Sequence, residues 1–120
     1  MRKTDLGHWG EKQAVRHLQN KGYKILEQNF RCRLGEVDIV ASKDGTLCFV
    51  EVKTRTSLDF GLPCQAVGHR KQEHIRRVAQ VYVQRNPKFD HCDLRLDVIE
   101  VLRLHTGNYI RHVEGAFGEE

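Results

Sequence analysis

The sequence predicts one α/β domain with its elements in the order α-β-β-β-α-β-β. Three observations lead there. Apolar residues recur at helical spacing in two stretches, Ala14, Val15, Leu18 and later Ile75, Val78, Ala79, Tyr82. Two alternating runs flank Asp44-Gly45, a dipeptide that tolerates positive φ at both turn positions. The chain has 120 residues, the length of a single domain, and residues 115–120 read as a loose tail.

The elements follow in order. Asp5 to Asn20 is the first helix, closed by Lys21-Gly22. Tyr23 to Arg33 is a strand, and Leu34-Gly35 turns it into a second over Glu36–Ala41. Asp44-Gly45 then leads into a third through Lys53, completing an antiparallel meander. A polar loop closed by Gly61 and Pro63 follows. The long helix begins between Cys64 and Gly68 and stops before Asn86-Pro87. Asp93–Leu104 and Tyr109–Val113 are the last strands, joined through Thr106-Gly107-Asn108, and Arg95 and Asp97 share a face on which they can pair.

The hairpin fixes a register. With Asp44-Gly45 as the turn, Lys43 pairs with Thr46, Val40 faces Phe49, Asp38 faces Glu51 and Glu36 faces Lys53. Three carboxylates and an amine then converge on one face, while Val37, Ile39, Cys48, Val50 and Val52 form an apolar face behind them. Two carboxylates roughly 5 Å apart repel by about 3 kcal/mol at an effective dielectric near 20. A divalent cation between Asp38 and Glu51 reverses that sign, and oxygen ligands suit Mg²⁺ or Mn²⁺. A solvated face with Lys53 on Glu36 is the competing reading, but the charges lie in the most apolar part of the chain. Glu11 falls on the inward stripe of the first helix. It is either a carboxylate favoured by the helix dipole or a further acid leaning over the ribbon, and the two readings stand level.

Composition limits the alternatives. Apolar residues make up 39% and charged residues 30%, as in a soluble globular protein. The formal charge is +4, and the segment from His69 to Lys88 holds six Lys or Arg against Glu73 alone, so the positive charge is clustered. A basic helix is commonly a solvated face; beside an acidic metal site it reads as a track for a phosphate backbone. The longest wholly apolar run, Leu47–Val50, is far short of a membrane span, and the first residues lead into no apolar signal region, so the cytoplasm is the expected compartment. Four separated cysteines read as free thiols, and the seven histidines show no zinc-ligand spacing.

Asp38, a gap, then Glu51-Val52-Lys53 resembles the D…E-x-K signature of the PD-(D/E)XK nuclease superfamily. Nearly the whole chain resembles the small bacterial YraN-like family of predicted endonuclease-like proteins. The matching pieces are Gly7-x-x-Gly10-Glu11, Gly22-Tyr23, Asn29-x-Arg31, Gly35-Glu36-Val37-Asp38, Phe49-Val50-Glu51-Val52-Lys53-x-Arg55, Gly61, Lys71 and Arg95-x-Asp97. Leu96 stands where that family usually has an aromatic residue. The resemblance implies a restriction-endonuclease-like core, a mixed central sheet flanked by helices. It implies metal-assisted phosphodiester hydrolysis, with DNA, branched or structured DNA included, as the substrate. Asp38, Glu51 and the Val52 carbonyl would hold Mg²⁺ or Mn²⁺, Glu11 would add a ligand through water or at a second ion, and Lys53 would act on water or on the developing charge. Glu36 and Arg55 would support this set, and Gln65, Arg70, Lys71, Arg76 and Arg77 would contact nucleic acid. A nucleic-acid-binding protein that keeps the fold without turnover, or that needs a partner, is the alternative, and a homodimer through an exposed sheet edge would enlarge the basic surface.

Overall fold

In a computed structural model, residues 4–56 and 68–116 are described. Helix α1 (Asp5–Asn20) is followed by strands β1 (Lys24–Cys32), β2 (Gly35–Lys43) and β3 (Thr46–Arg55). Helix α2 (His69–Arg85) and a short 3₁₀ turn (Pro87–Phe89) lead to β4 (Asp93–Leu104) and β5 (Gly107–Val113). The five strands form one mixed sheet in chain order, β1-β2-β3-β4-β5. All neighbours are antiparallel except β3 and β4, which are parallel because α2 carries the chain back between them. The predicted order of elements and the mixed sheet between helices are both found.

Local chemistry explains the elements. Thr4 caps α1, its Oγ1 accepting from the Gly7 N–H at 3.0 Å. Asp44 and Gly45 have φ of 51° and 80°, the primed-turn geometry that sets Lys43 opposite Thr46 and Val40 opposite Phe49, as the dipeptide predicts. Asn86 ends α2 by donating from its side chain to the Tyr82 carbonyl at 2.9 Å, and Pro87 prevents continuation.

The sheet buries both faces, so the core has two layers. Ile75, Val78, Ala79 and Tyr82 of α2 cover Phe30, Val37, Val40, Leu47, Phe49 and Val98. The Tyr82 ring meets Phe30 and Phe49 edge-on at 5.1 and 5.8 Å. On the other face Ala14 and Leu18 of α1 and Tyr23 cover Ile39, Ala41, Cys48, Val50, Ile99 and Val101. Burial pushes the Cys48 thiol up to about 11. Cys32, Cys48 and Cys92 are free thiols, and no helix among the described residues is long and apolar enough to cross a membrane.

One placement differs from the alternation expected of β2. Val37 lies with Val40 on the α2 face, whereas Ile39 lies on the α1 face. The strand therefore changes phase around Asp38. Its neighbour changes with it: Asn29, between the ladder pairs Gln28–Ile39 and Phe30–Val37, has φ of +56°. Such a left-handed residue in a strand is visible only in the backbone and leaves no mark on hydrophobic periodicity.

At the same end of the sheet α1 touches β3 without a spacer. A Cβ on Gly10 would lie 2.0 Å from Thr54 Oγ1, so only glycine permits this approach. The next residue, Glu11, is thereby brought down to the sheet.

Candidate metal centre

The β2–β3 ladder ends at Ile39–Val50. Beyond it the two strands part, and the Asp38 carboxylate enters the gap to accept the Val52 N–H at 2.8 Å. A side chain thus takes the place of a partner strand's carbonyl. N–H and C=O groups of one strand residue leave on the same edge, so the Val52 carbonyl opens onto the same gap. Opposite Asp38 sits Asn29, whose side-chain amide donates to Glu11 Oε1 at 2.9 Å. Glu11, Asp38 and Glu51 are 4%, 7% and 6% exposed, far more enclosed than carboxylates ordinarily are.

Glu51 carries the electrostatic load. One oxygen, Oε2, meets Lys53 Nζ at 3.3 Å and Lys71 Nζ at 3.4 Å. Burial and then the nearby Asp38 charge still push its carboxyl above the usual range, against the pull of Lys71 and Lys53. Lys71 stands on the first turn of α2, where extension of the inner stripe places it. A cleft of about 260 Å³, lined by Thr4, Leu6, Gly7, Glu11, Val52, Lys53 and Thr54, opens beside the cluster. The N-terminal turns of both helices therefore border the point where β2 and β3 separate.

The donor set fits a hard divalent cation. Mg²⁺ is characteristically held by one or two carboxylates, with water and substrate phosphate completing the shell. Asp38, Glu51 and the Val52 carbonyl supply that set, and an ion would offset the repulsion that raises Glu51. Among the described residues no three His, Cys, Asp or Glu side chains form a metal-holding group, so Glu11 does not join the pair directly. It is tied instead to Asn29, across the strand from Asp38.

The predicted residues are placed as follows. Glu11, Asp38, Glu51, Val52, Lys53 and Lys71 meet at this end of the sheet. Glu36 does not face Lys53: it lies opposite Arg31 on β1 and binds its Nε at 2.9 Å, because β2 stays with β1 after leaving β3. Arg55 points its Nε at Glu100 Oε2, 3.2 Å away, rather than at the carboxylate pair. Arg70, Arg76 and Arg77 are exposed on α2, with Arg77 3.7 Å from Glu73. Gln65 and Gly61 lie outside the described residues.

Two polar groupings escape sequence reasoning, the first wholly and the second in all but its Arg95–Asp97 pair. Glu100, 1% exposed, receives Arg55 from β3 and Arg111 from β5, the latter through Nε at 2.8 Å and through Nη2. The signal was a lone acid within Val98-Ile99-Glu100-Val101-Leu102, but its partners follow only from the strand order. On the α1 face Arg95 grips Asp97 with two bonds of 2.9 and 3.0 Å, the pairing their spacing suggests. His112 Nε2 lies 2.9 Å from the same carboxylate, and the Gly115 N–H donates to it at 3.0 Å. His17 stands 3.2 Å beyond, against His112 Nδ1.

The sequence model of the group described as "Uncharacterised protein family UPF0102" matches residues 10–101. The chain belongs to the UPF0102 family. A UPF0102 protein of Caldicellulosiruptor saccharolyticus is 54% identical over 101 residues, covering 84% of this chain and 85% of its own. One of Alkaliphilus oremlandii is 50% identical over 113 residues, covering 93% and 97%. One of Clostridioides difficile is 42% identical and spans 98% of this chain and all of its own. Within this UPF0102 chain, the matched segment contains every residue of the centre, from Glu11 to Lys71.

Proposed function

We propose that this protein is a metal-dependent nuclease of the PD-(D/E)XK type, with a restriction-endonuclease-like core, that hydrolyses phosphodiester bonds in DNA, branched or otherwise structured DNA included. The observation that carries the reading is the buried pair Asp38 and Glu51 at the parting of β2 and β3, with Lys53 and Lys71 on Glu51. Two enclosed acids held beside two amines match what cleavage of a phosphate diester needs: a seat for a cation and donors for developing negative charge.

Asp38, Glu51 and the Val52 carbonyl would hold Mg²⁺ or Mn²⁺, which when bound polarises the phosphate and acidifies water. The chain's own groups do the remaining work. Lys53 Nζ, anchored on Glu51 and bordering the cleft, donates to the attacking water or to a phosphate oxygen as charge builds there. Lys71 binds the same phosphate from α2, and Arg70, Arg76 and Arg77 hold the backbone that runs along the helix. Asn29 holds Glu11 at the cleft wall, where it can orient water. A two-fold dimer paired through β1 or β5, the sheet edges, belongs to the same proposal because it doubles the basic surface; the mass in solution decides it.

One observation favours a second reading. Lys53 and Lys71 already balance the charges of Asp38 and Glu51, so the cluster can stand as a binding surface without turnover. Labelled single-strand, duplex, flap and four-way-junction DNA, with an RNA control, tests both when incubated with Mg²⁺, Mn²⁺ or EDTA. The nuclease reading expects cutting that needs metal and is lost in Asp38→Ala and Lys53→Ala. Salt-sensitive binding without cutting transfers the conclusion to the binding protein.

A further inference from the structure

Between the first turn of α1 and the far ends of β3 and β4 lies a second pocket, of about 540 Å³, lined by Leu6, Thr56, Arg103, Leu104 and His105. That volume falls in the range of small-ligand sites. Leu6 also lines the cleft beside the carboxylates, so the two spaces share that side chain as a wall.

The sheet explains how a cation comes to stand there. The β3–β4 ladder pairs Arg55 with Leu102, and alternation then turns Arg103 toward α1, in the row begun by Ile99 and Val101. Those two are buried under the helix. Arg103 is exposed, and its guanidinium carbon stands 5.1 Å from the centre of the Trp9 ring, within cation–π reach. Trp9 is half-buried and packs against the same core layer, so it supports the guanidinium from below. Among the described residues Arg103 pairs with no carboxylate, and no acid lines the pocket.

A nucleotide combines the two characters that such a lining matches, a planar base and an anionic phosphate. Guanidinium planes take a base face, the two leucines give apolar contact, and Thr56 and His105 supply hydrogen-bonding groups. Inside a duplex each base is already stacked on both faces, whereas an unpaired nucleotide has a face to offer. Lys53 pairs with Glu100, three residues before Arg103, so the two cations lie roughly 10 Å apart along the sheet, a short reach for extended single strand.

We infer that this pocket is a subsite for one unpaired nucleotide flanking the phosphate at Lys53, its base stacked on Arg103. Arg103 is the contact residue and Trp9 the positioning residue. The subsite rests on the nuclease reading for its role and narrows the substrate to DNA with a single-stranded flank, but affinity can be measured without cleavage.

The test is fluorescence anisotropy in EDTA with three labelled probes. These are a blunt DNA duplex, the same duplex with a short single-stranded overhang of either polarity, and the overhang form with its unpaired nucleotides made abasic. The overhang is expected to tighten binding by about fivefold to a hundredfold, the worth of one stacked base, and the abasic form to lose that gain. Arg103→Lys keeps the charge and removes the plane, so it should erase the gain while the salt dependence of affinity stays as in wild type. Trp9→Leu should reduce the gain and leave blunt-duplex affinity unaltered, a split that general destabilisation does not give. An abasic overhang that binds as well as the natural one overturns the subsite, as does an undiminished gain in Arg103→Lys. The abasic comparison uses wild type alone, so it decides even if a variant does not fold. Metal-dependent cutting without an overhang gain leaves the nuclease and removes this subsite. A base-dependent gain without cutting keeps the subsite and moves the chain to the binding reading, whereas wild type that binds none of the probes removes both.

Discussion

Gly10→Ala tests the contact that brings α1 down onto the sheet. The added methyl carbon would lie 2.0 Å from Thr54 Oγ1 and 3.1 Å from Thr54 Cβ and Cγ2. Alanine favours a helix interior over glycine by about 1 kcal/mol, so propensity alone predicts stabilisation. Overfilling a packed site costs about 1–3 kcal/mol, and here the upper end applies because the branched Thr54 side chain meets the methyl with its Cβ and both γ atoms, so no simple rotation clears it. The net expectation is a loss of about 1–2 kcal/mol. Thr54→Ala removes Oγ1 and Cγ2 and leaves only the 3.1 Å contact with Cβ, which a shift of a few tenths of an ångström relieves. In that background Gly10→Ala should cost little or stabilise, giving a coupling energy of about 1–2 kcal/mol. Urea unfolding of the four proteins of this cycle, at unchanged m value, measures it. A Gly10→Ala protein as stable as wild type, or one equally weakened in both backgrounds, would refute the close approach and with it the placement of Glu11.

Other expectations follow from the same geometry. Lys53→Ala should reduce metal-dependent cleavage by about 10²–10³-fold, the worth of one donor to developing charge, with far less effect on substrate affinity; parallel turnover and binding measurements check this. Glu36→Gln should leave cleavage unchanged and cost under about 0.5 kcal/mol in thermal unfolding, because its pair with Arg31 is half exposed. Asp97→Ala should cost about 3–5 kcal/mol by denaturant titration, since it strands Arg95 and His112 around a fully buried position. Burial alone would raise the Asp97 carboxyl, but bonds from His112, Arg95 and the Gly115 N–H hold it below the usual range. Its folded pKa is depressed, so its contribution is complete above about pH 4 and disappears as pH falls through the folded value. His17 is also depressed, by burial and then by His112 and Lys21, so its contribution is lost as pH falls below about 6.5. Stability should therefore decline in two windows, and His17→Gln should flatten only the upper one.

The readable parts of the fold were those set by local rules. Asp44-Gly45 gave the register of the hairpin near its turn, and helical spacing gave the four inner residues of α2 and the position of Lys71. What failed was extrapolation of that register. Counting back to Glu36 assumes that strands stay paired and alternate, but β2 and β3 part beyond Ile39, and β2 changes phase around Asp38, beside the left-handed Asn29 of β1, so that Val37 lies on the other face. The Glu100 trio was hidden for a different reason. It joins residues 55, 100 and 111 through two ladders, one of them parallel, and no local spacing records such a meeting.

Cys48 makes the domain a witness to its own opening. The thiol is fully enclosed between the sheet and α1, and its acidity is suppressed by burial first and by Asp97 second. Alkylating reagents consume thiolate, so the folded chain offers them almost nothing at this position. Modification then waits on excursions that lift α1 from the sheet, while Cys32 and Cys92, both partly exposed, react earlier. The rate at Cys48 therefore reads the free energy of that excursion in plain buffer, without denaturant and without an introduced label.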